Sequence, residues 1–395
     1  MREEMKKVPR IRFRGFQEDW EQRKLEDISD KVTEKNKNNE FTETLTNSAE
    51  FGIINQREFF DKDISNEKNL NGYYIVREDD FVYNPRISNY APVGPIKRNK
   101  LGRTGVMSPL YYVFRPHDID KKFLEYFFGT TIWHKFMKLN GDSGARADRF
   151  AIKDSVFKTM PIPYPSIEEQ KKVGKFFDDL NDTIALHQRK LDQLKELKKA
   201  YLQLMFPVKD ERVPKLRFAD FEEEWEQCKL EDLANKYNNL RIPITASKRI
   251  YGNTPYYGAN GIQDFVEGYT HDGEFILVAE DGASNLKDYP VQYVNGKVWV
   301  NNHAHVLQAK RSKADNKFLM NAIKSINIEP FLVGGGRSKL NSEVMMNLEI
   351  NTPSKDEQLK ISTLCKQLDD ITALYQNKLN QLKNLKKSYL QNMFI

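Results

Sequence analysis

Cysteine is nearly absent from the 395-residue sequence, with only Cys228 and Cys365. Two thiols with no Cys-x-x-Cys spacing give neither a disulfide framework nor a zinc site. No apolar run approaches the ~18–20 residues of a membrane span. The N-terminal Met1-Arg2-Glu3-Glu4-Met5-Lys6-Lys7 is charged where a secretory signal carries an apolar core. These absences point to a cytoplasmic protein with no membrane partner. Hydrophobic residues make up 39% and charged residues 30%, which describes a folded chain rather than a disordered one. The formal charge of +6 permits an acidic partner such as nucleic acid but does not require one.

What is present is written twice. Residues 8–27 read VPRIRFRGFQEDWEQRKLED and residues 213–232 read VPKLRFADFEEEWEQCKLED, an offset of 205 from Trp20 to Trp225. Residues 183–206, TIALHQRKLDQLKELKKAYLQLMF, return as residues 371–394, ITALYQNKLNQLKNLKKSYLQNMF, at an offset of 188 from Leu191 to Leu379. The stretches between these shared ends, roughly 40–150 and 240–335, have little in common. A period near 200 residues is a duplicated domain rather than a solenoid. Two equal frames around two private inserts suggest two similar tasks on two different targets.

The second repeated segment carries a heptad seam. Leu180, Ile184, His187, Leu191, Leu194, Tyr201 and Met205 recur at spacings of three and four, interrupted at Lys198, and Leu368, Thr372, Tyr375, Leu379, Leu382, Tyr389 and Met393 repeat the pattern. Ser166 and Ser354 stand three residues before Glu169 and Glu357, the spacing of a capping box, after Pro165 and Pro353. A helix over 166–206 is roughly 60 Å long at ~1.5 Å per residue, and its matching stripe is supplied by 354–394. Two separate amphipathic helices would also fit. The expected arrangement is mutual, antiparallel pairing through Leu180, Ile184, Leu191, Leu194 and Tyr201 of the first helix and Leu368, Leu379, Leu382 and Tyr389 of the second.

The inserts are strand-rich. Segments 73–83, 110–114, 274–280 and 291–300 carry β-branched and aromatic runs punctuated by glycine and proline, and 121–137 and 316–326 have a helical pattern. After each helical stretch comes a Gly-rich basic loop, 141–146 and 334–339. Asn84 to Gly105 holds five cations and no acid, and Tyr237 to Ile262 holds three and no acid. Lys and Arg reach phosphates, while Arg and Asn also make paired bonds to base edges. In the first insert the candidate DNA contacts are Asn84, Arg86, Lys97, Arg98, Lys100, Arg103, Arg146 and Arg149. In the second they are Arg241, Lys248, Arg249, Tyr251, Asn260, Asn285, His303, Arg337 and Lys339. Solvated basic loops are the alternative reading of the same residues.

Catalytic patterns are missing. No Gly-x-x-x-x-Gly-Lys-Ser/Thr phosphate loop occurs. Asn84-Pro85-Arg86-Ile87 lacks the second proline and the aromatic of the adenine-methyltransferase motif, and Gly334-Gly335-Gly336 follows a predicted helix, not a strand. Glu169-Gln170-Lys171 has half of a nuclease metal site, but its repeat, Glu357-Gln358-Leu359, has lost the lysine. The shared feature is therefore the helix start. His303 and His305 fall on one strand face, with no third metal ligand evident. No catalytic residue and no metal site is expected.

The duplicated frames 8–28 and 213–233, PIPYPSIEEQKKV (161–173) and INTPSKDEQLKI (350–361) before the long helices, and YYGANGIQDFV (256–266) with FILVAEDGA (275–283) resemble the specificity subunits of type I restriction–modification systems. The resemblance covers essentially the whole chain. It implies an α+β fold of two globular target-recognition domains separated by two long helices packed as an antiparallel coiled coil, with a pseudo-twofold internal repeat. The expected domains are 1–160 (variable part about 40–155) and 208–350 (variable part about 240–345), with spacer helices in 161–207 and 351–395. It further implies a non-catalytic subunit that reads a bipartite, asymmetric site in double-stranded DNA. Two adenine-N6 methyltransferase subunits and two restriction/translocase subunits would be its partners. S-adenosylmethionine, ATP and magnesium would belong to those partners, with no cofactor in this chain. A DNA-binding adaptor without methyltransferase partners and a coiled-coil scaffold are the competing readings.

Overall fold

The structure, a computed structural model, describes residues 8–59, 67–143, 148–208, 211–335 and 338–395. The chain divides into two compact units, Met1–His187 with Lys378–Ile395, and Gln188–Asn377. The two long helices, Ile167–Met205 and Lys355–Asn392, each begin in one unit and end in the other. Each unit therefore holds the start of one helix and the end of the other, which is the antiparallel arrangement. In the first unit Phe176 meets Tyr389 edge-on at 5.1 Å, and in the second Lys198 pairs with Asp369. Along the expected seam Leu180, Leu191, Leu194, Leu368 and Leu379 are buried, and Ile184, Tyr201, Leu382 and Tyr389 are partly so.

The repeated text folds into repeated structure. Glu21–Lys24 pairs antiparallel with Pro161–Tyr164, and Glu226–Lys229 pairs with Glu349–Thr352 in the same register, Glu21 opposite Tyr164 and Glu226 opposite Thr352. Behind each clasp lies an aromatic triad. Phe394, from the end of the second helix, lies 6.5 Å from Trp20 and 5.2 Å from Phe123. Phe206, from the end of the first, lies 5.9 Å from Trp225 and 5.6 Å from Phe318. All six rings are buried, so each helix end is anchored by a large apolar side chain.

The helix starts hold the bodies through polar groups. Gln170 accepts from the Asp120 amide at 2.8 Å and donates to the Pro165 carbonyl, while Asp120 caps the Lys121–Phe128 helix. Gln358, Asp315 and Pro353 repeat this set for the Asn316–Ser325 helix. Gly174 makes the first crossing tight, since a Cβ there would lie 2.9 Å from Lys122 Cβ. Its repeat is Ser362, whose hydroxyl instead donates to Asp315 at 2.5 Å.

The core sheets correspond although their sequences do not. In the first unit the strands lie in the order Ser29–Lys31, Tyr112–Pro116, Phe81–Tyr83, Ile96–Arg98. In the second they run Ala234–Lys236, Ala304–Ala309, His271–Ala279, Val291–Val300, then Tyr251–Gly258 and Gly261–Val266. The second body thus extends the same four strands by two.

Three local expectations change. The 121–137 helix breaks into Lys121–Phe128 and His134–Asn140, because Gly129 caps the first piece and the Thr130 hydroxyl takes the Phe127 carbonyl. The 73–83 strand breaks at Asp79, which adopts φ +69, while the Asp80 carboxylate accepts the Arg77 amide. The capping boxes form only on the serine side, with Ser166 and Ser354 hydroxyls 3.4 Å from the Glu169 and Glu357 amides. The glutamate side chains are taken by Arg12 and Arg217 instead.

Candidate nucleic-acid interface

In both units the third strand of the core sheet runs into a loop that meets a later segment of the chain, Arg149–Phe150 in the first and Lys339–Leu340 in the second. The Phe150 amide donates to the Pro85 carbonyl at 2.7 Å, and Arg86 bridges to Arg149. In the second unit the Leu340 amide donates to the Glu280 carbonyl at 2.7 Å, and the Asp281 and Lys339 backbones form an antiparallel β-bridge. Unlike residues thus build one construction: two chain segments side by side at the end of the same strand.

The first loop is cationic and exposed at its tip. Arg86 and Arg149 are exposed, with no carboxylate partner among the described residues. Asn84 is a brace rather than a free head: it accepts from the Arg86 amide at 3.0 Å and donates to the Asn47 carbonyl at 2.8 Å. Gly94, at φ +83, lets the turn after it close, since a Cβ there would sit 2.2 Å from the Asn84 carbonyl oxygen. The other cations lie apart. Arg98 pairs with Glu125 at 3.0 Å and Lys100 pairs with the same carboxylate at 2.7 Å. Lys97 is half-buried on the same strand as Arg98. Arg103 makes two bonds of 2.7 Å to Glu43 and holds that carboxyl below its usual range. Arg146 lies outside the described residues, as does Arg337 in the second insert.

The second loop is a mixed-charge patch. Burial alone would raise the Glu280 carboxyl, but Arg241 at 2.6 Å and Lys339 at 2.9 Å outweigh it and hold it below the usual range. Asn260 pins the segment after it by accepting from the Ser284 amide at 2.8 Å and donating to the Gly282 carbonyl at 2.9 Å. Asn285 accepts from the Lys287 amide in a local turn. His303 faces Asp281 at 2.5 Å, and His305 is buried with its Nε2 2.8 Å from the Leu340 carbonyl. The two histidines therefore have separate partners, and no set of three metal-ligating side chains occurs among the described residues. Arg241, Asn260, His303 and Lys339 are gathered here. Lys248, Arg249 and Tyr251 belong to another segment, where Arg249 pairs with Asp264 at 3.2 Å over the Tyr256 ring and Tyr251 is 84% exposed.

The sequence marked Glu169-Gln170 and Glu357-Gln358 as a shared helix start, but not as the anchors that grip Arg12, Asp120, Arg217 and Asp315. Their signal was present: Glu169-Gln170 and Glu357-Gln358 are identical pairs at identical places in the repeat. No described helix is long and apolar enough to cross a membrane.

The model of the type I restriction modification DNA specificity domain matches residues 17–196 and 222–384, once per repeat. A protein named as a type I restriction enzyme specificity subunit of Haemophilus influenzae is 46% identical over 153 residues, 39% of this chain and 38% of that one. The MjaVIII specificity subunit of Methanocaldococcus jannaschii is 20% identical over 320 residues, 73% of each chain. The match to the Haemophilus relative thus spans less than half of its length. Among solved structures, the type I restriction–modification S subunit of M. genitalium superposes with a TM-score of 0.62 over 98% of this chain and 99% of that one, at 13% identity. A chain from a study of type I complex assembly gives 0.56 over 95% and 97%, also at 13% identity. At that identity the likeness speaks for the fold alone.

Proposed function

Because the chain belongs to the type I restriction modification DNA specificity family, we propose that it reads a split, asymmetric site in double-stranded DNA, one half with each unit. The observation that carries this is the pair of loops on equivalent strands, Arg86 beside Arg149 in one unit and Asp281 beside Lys339 in the other. Guanidinium groups supply donors for guanine O6 and N7, whereas a carboxylate accepts from cytosine N4. Equal scaffolds with different chemistry, cationic in one and mixed-charge in the other, suit two different half-sites.

The chain itself is a reader, not a catalyst. The long helices set the gap between half-sites and dock two adenine-N6 methyltransferase subunits, with two restriction/translocase subunits in the larger assembly. Support for docking comes from leucines repeated on the helix exterior. Leu186 and Leu385 are 62% and 43% exposed in the first unit, and Leu197 and Leu374 are 43% and 66% exposed in the second. Helical leucines left this open fit partner helices. S-adenosylmethionine, ATP and magnesium are assigned to the partner subunits.

The test is exchange. Replacing residues 40–155 with the corresponding insert of a relative, in a complex with the methyltransferase, changes one half of the methylated sequence and leaves the other half as it was. Coupled changes in both halves contradict the two-reader assignment.

A further inference from the structure

The paired loops of each unit have a third neighbour. Tyr83 lies opposite Tyr112 in the first unit as Ala279 lies opposite Ala304 in the second. The turns that enter Tyr112–Pro116 and Ala304–Ala309 therefore correspond, with Leu110 where Asn302 stands. In the second unit this turn is polar and joined to the loop. The Glu280 amide donates to the His303 carbonyl at 2.8 Å, and the His303 ring faces Asp281 at 2.5 Å. In the first unit the turn is Ser108-Pro109-Leu110-Tyr111, and Leu110 is 61% exposed. Its backbone is fixed, since the Leu110 amide donates to the Ser108 hydroxyl at 3.4 Å and the Tyr111 amide to the Ser108 carbonyl at 3.1 Å.

Leu110 lines a cleft of about 110 Å³ together with Pro85 and Phe150, the chain neighbours of Arg86 and Arg149. The two segments that present the arginines thus also wall the cleft. It has room for about three or four waters at ~30 Å³ each, far below the roughly 300 Å³ at which small-molecule sites begin. A cleft of this size takes one small group that projects from something larger. Several polar side chains in its wall are already engaged within the protein. Lys31 pairs with Asp154 at 2.6 Å, the Tyr83 hydroxyl donates to the Val93 carbonyl, and the Tyr111 hydroxyl meets Thr46. The aliphatic faces of Pro85, Leu110 and Ile152 have no such engagement. Among the groups that bases present in the DNA major groove, the apolar one is the thymine C5-methyl.

We propose that Leu110 and this cleft read a thymine C5-methyl next to the bases that Arg86 and Arg149 face, which makes the turn 108–111 a further specificity-determining segment. The assignment rests on the DNA-reading function above. In the second unit Asn302 and His303 hold the same place, so Leu110 serves the first half-site alone.

The experiment uses the full chain in complex with its methyltransferase, and a duplex carrying the recognised site. The exchange of residues 40–155 identifies the half read by the first unit. Each thymine of that half, on either strand, is replaced in turn by deoxyuridine, which removes the methyl alone, and affinity is measured by fluorescence anisotropy. One replacement is expected to weaken binding about four-fold, the ~0.8 kcal/mol of one buried CH₂-sized group. Leu110→Ala is expected to weaken the thymine duplex by a similar factor and to bind thymine and deoxyuridine at that position alike, while Leu110→Met keeps the distinction. In the other half, Leu110→Ala leaves any response to deoxyuridine as it was. An equal loss on both duplexes, with the distinction surviving Leu110→Ala, marks a merely structural turn and overturns the assignment. A half-site without thymine overturns it too, as does deoxyuridine that is neutral at every position while base-pair changes there still abolish binding; both leave the reading function intact. If the complex binds duplexes with and without the site equally, the reading function fails and the methyl assignment with it.

Discussion

The Arg12 guanidinium grips the Glu169 carboxylate through two bonds of 2.7 and 2.8 Å, closing 157 residues of chain. Arg217 and Glu357 repeat the grip at 2.8 Å across 140 residues. Both carboxylates are 1% exposed. Each introductory segment is therefore fastened to the start of its own long helix, and a globular body of unrelated sequence is held between the two fastenings. This explains how inserts can differ while the frame around them stays constant.

The two grips differ in one bond. The Trp20 indole also donates to Glu169, at 3.1 Å, whereas the buried Trp225 indole nitrogen has no partner among the described residues. Breaking a buried ion pair from one side costs about 3–5 kcal/mol. Glu169→Ala is expected to lose that much local stability, and Glu357→Ala about 1 kcal/mol less, since one fewer hydrogen bond goes with it. Hydrogen exchange in residues 8–27 and 213–232, read separately in the full chain, checks the difference.

Phe394 lies at the end of the second helix yet fills the core of the first unit. Phe394→Ala is expected to destabilise the first unit by about 3–5 kcal/mol, with exchange accelerated around Trp20 and Phe123 and unaltered around Trp225 and Phe318. Phe206→Ala is expected to produce the reverse pattern. Loss of protection confined to 355–395 would contradict this anchoring.

Much of this was legible in the sequence, for a physical reason. The first strand of each clasp, most of the seam and the aromatic ends were present as duplicated text, and text that recurs in register must serve the same contacts twice. The correspondence of the two core sheets was not legible, because its decisive bonds run between backbone atoms, Phe150 to Pro85 and Leu340 to Glu280, and any residue supplies those. Nor could the roles of the cations be sorted. Arg98 and Arg103 read as free basic residues beside Arg86, but their partners Glu125 and Glu43 are 27 and 60 residues away in the chain. Lys198 stood out as a flaw in the seam, and only the fold shows that it pairs with Asp369.

Burial pushes the imidazoles of His271 and His305 below their usual range, both in the second unit. His305 is satisfied as the neutral form, donating from Nε2 to the Leu340 carbonyl at 2.8 Å and accepting from the Asn238 amide at 2.9 Å. The unfolded chain takes up protons near pH ~6.5 while the folded unit resists them. Stability is therefore fully present above that pH and falls as the pH drops below it, by up to ~1.4 kcal/mol per histidine per pH unit. Exchange protection of 271–279 and 304–309 between pH 7.5 and 5.5 is expected to show the fall, and His305→Gln to flatten it. Protection that holds or rises toward pH 5.5, after correction for intrinsic exchange, would contradict the assignment.

A chain with the proposed function chooses where a partner methylates. The direct measurement is to co-express it with a type I methyltransferase subunit from its genomic neighbourhood and map N6-methyladenine across the host genome by long-read sequencing. One split motif, two short specified halves around an unread gap, is expected only when this chain is expressed. A soluble complex that leaves no new motif would contradict it.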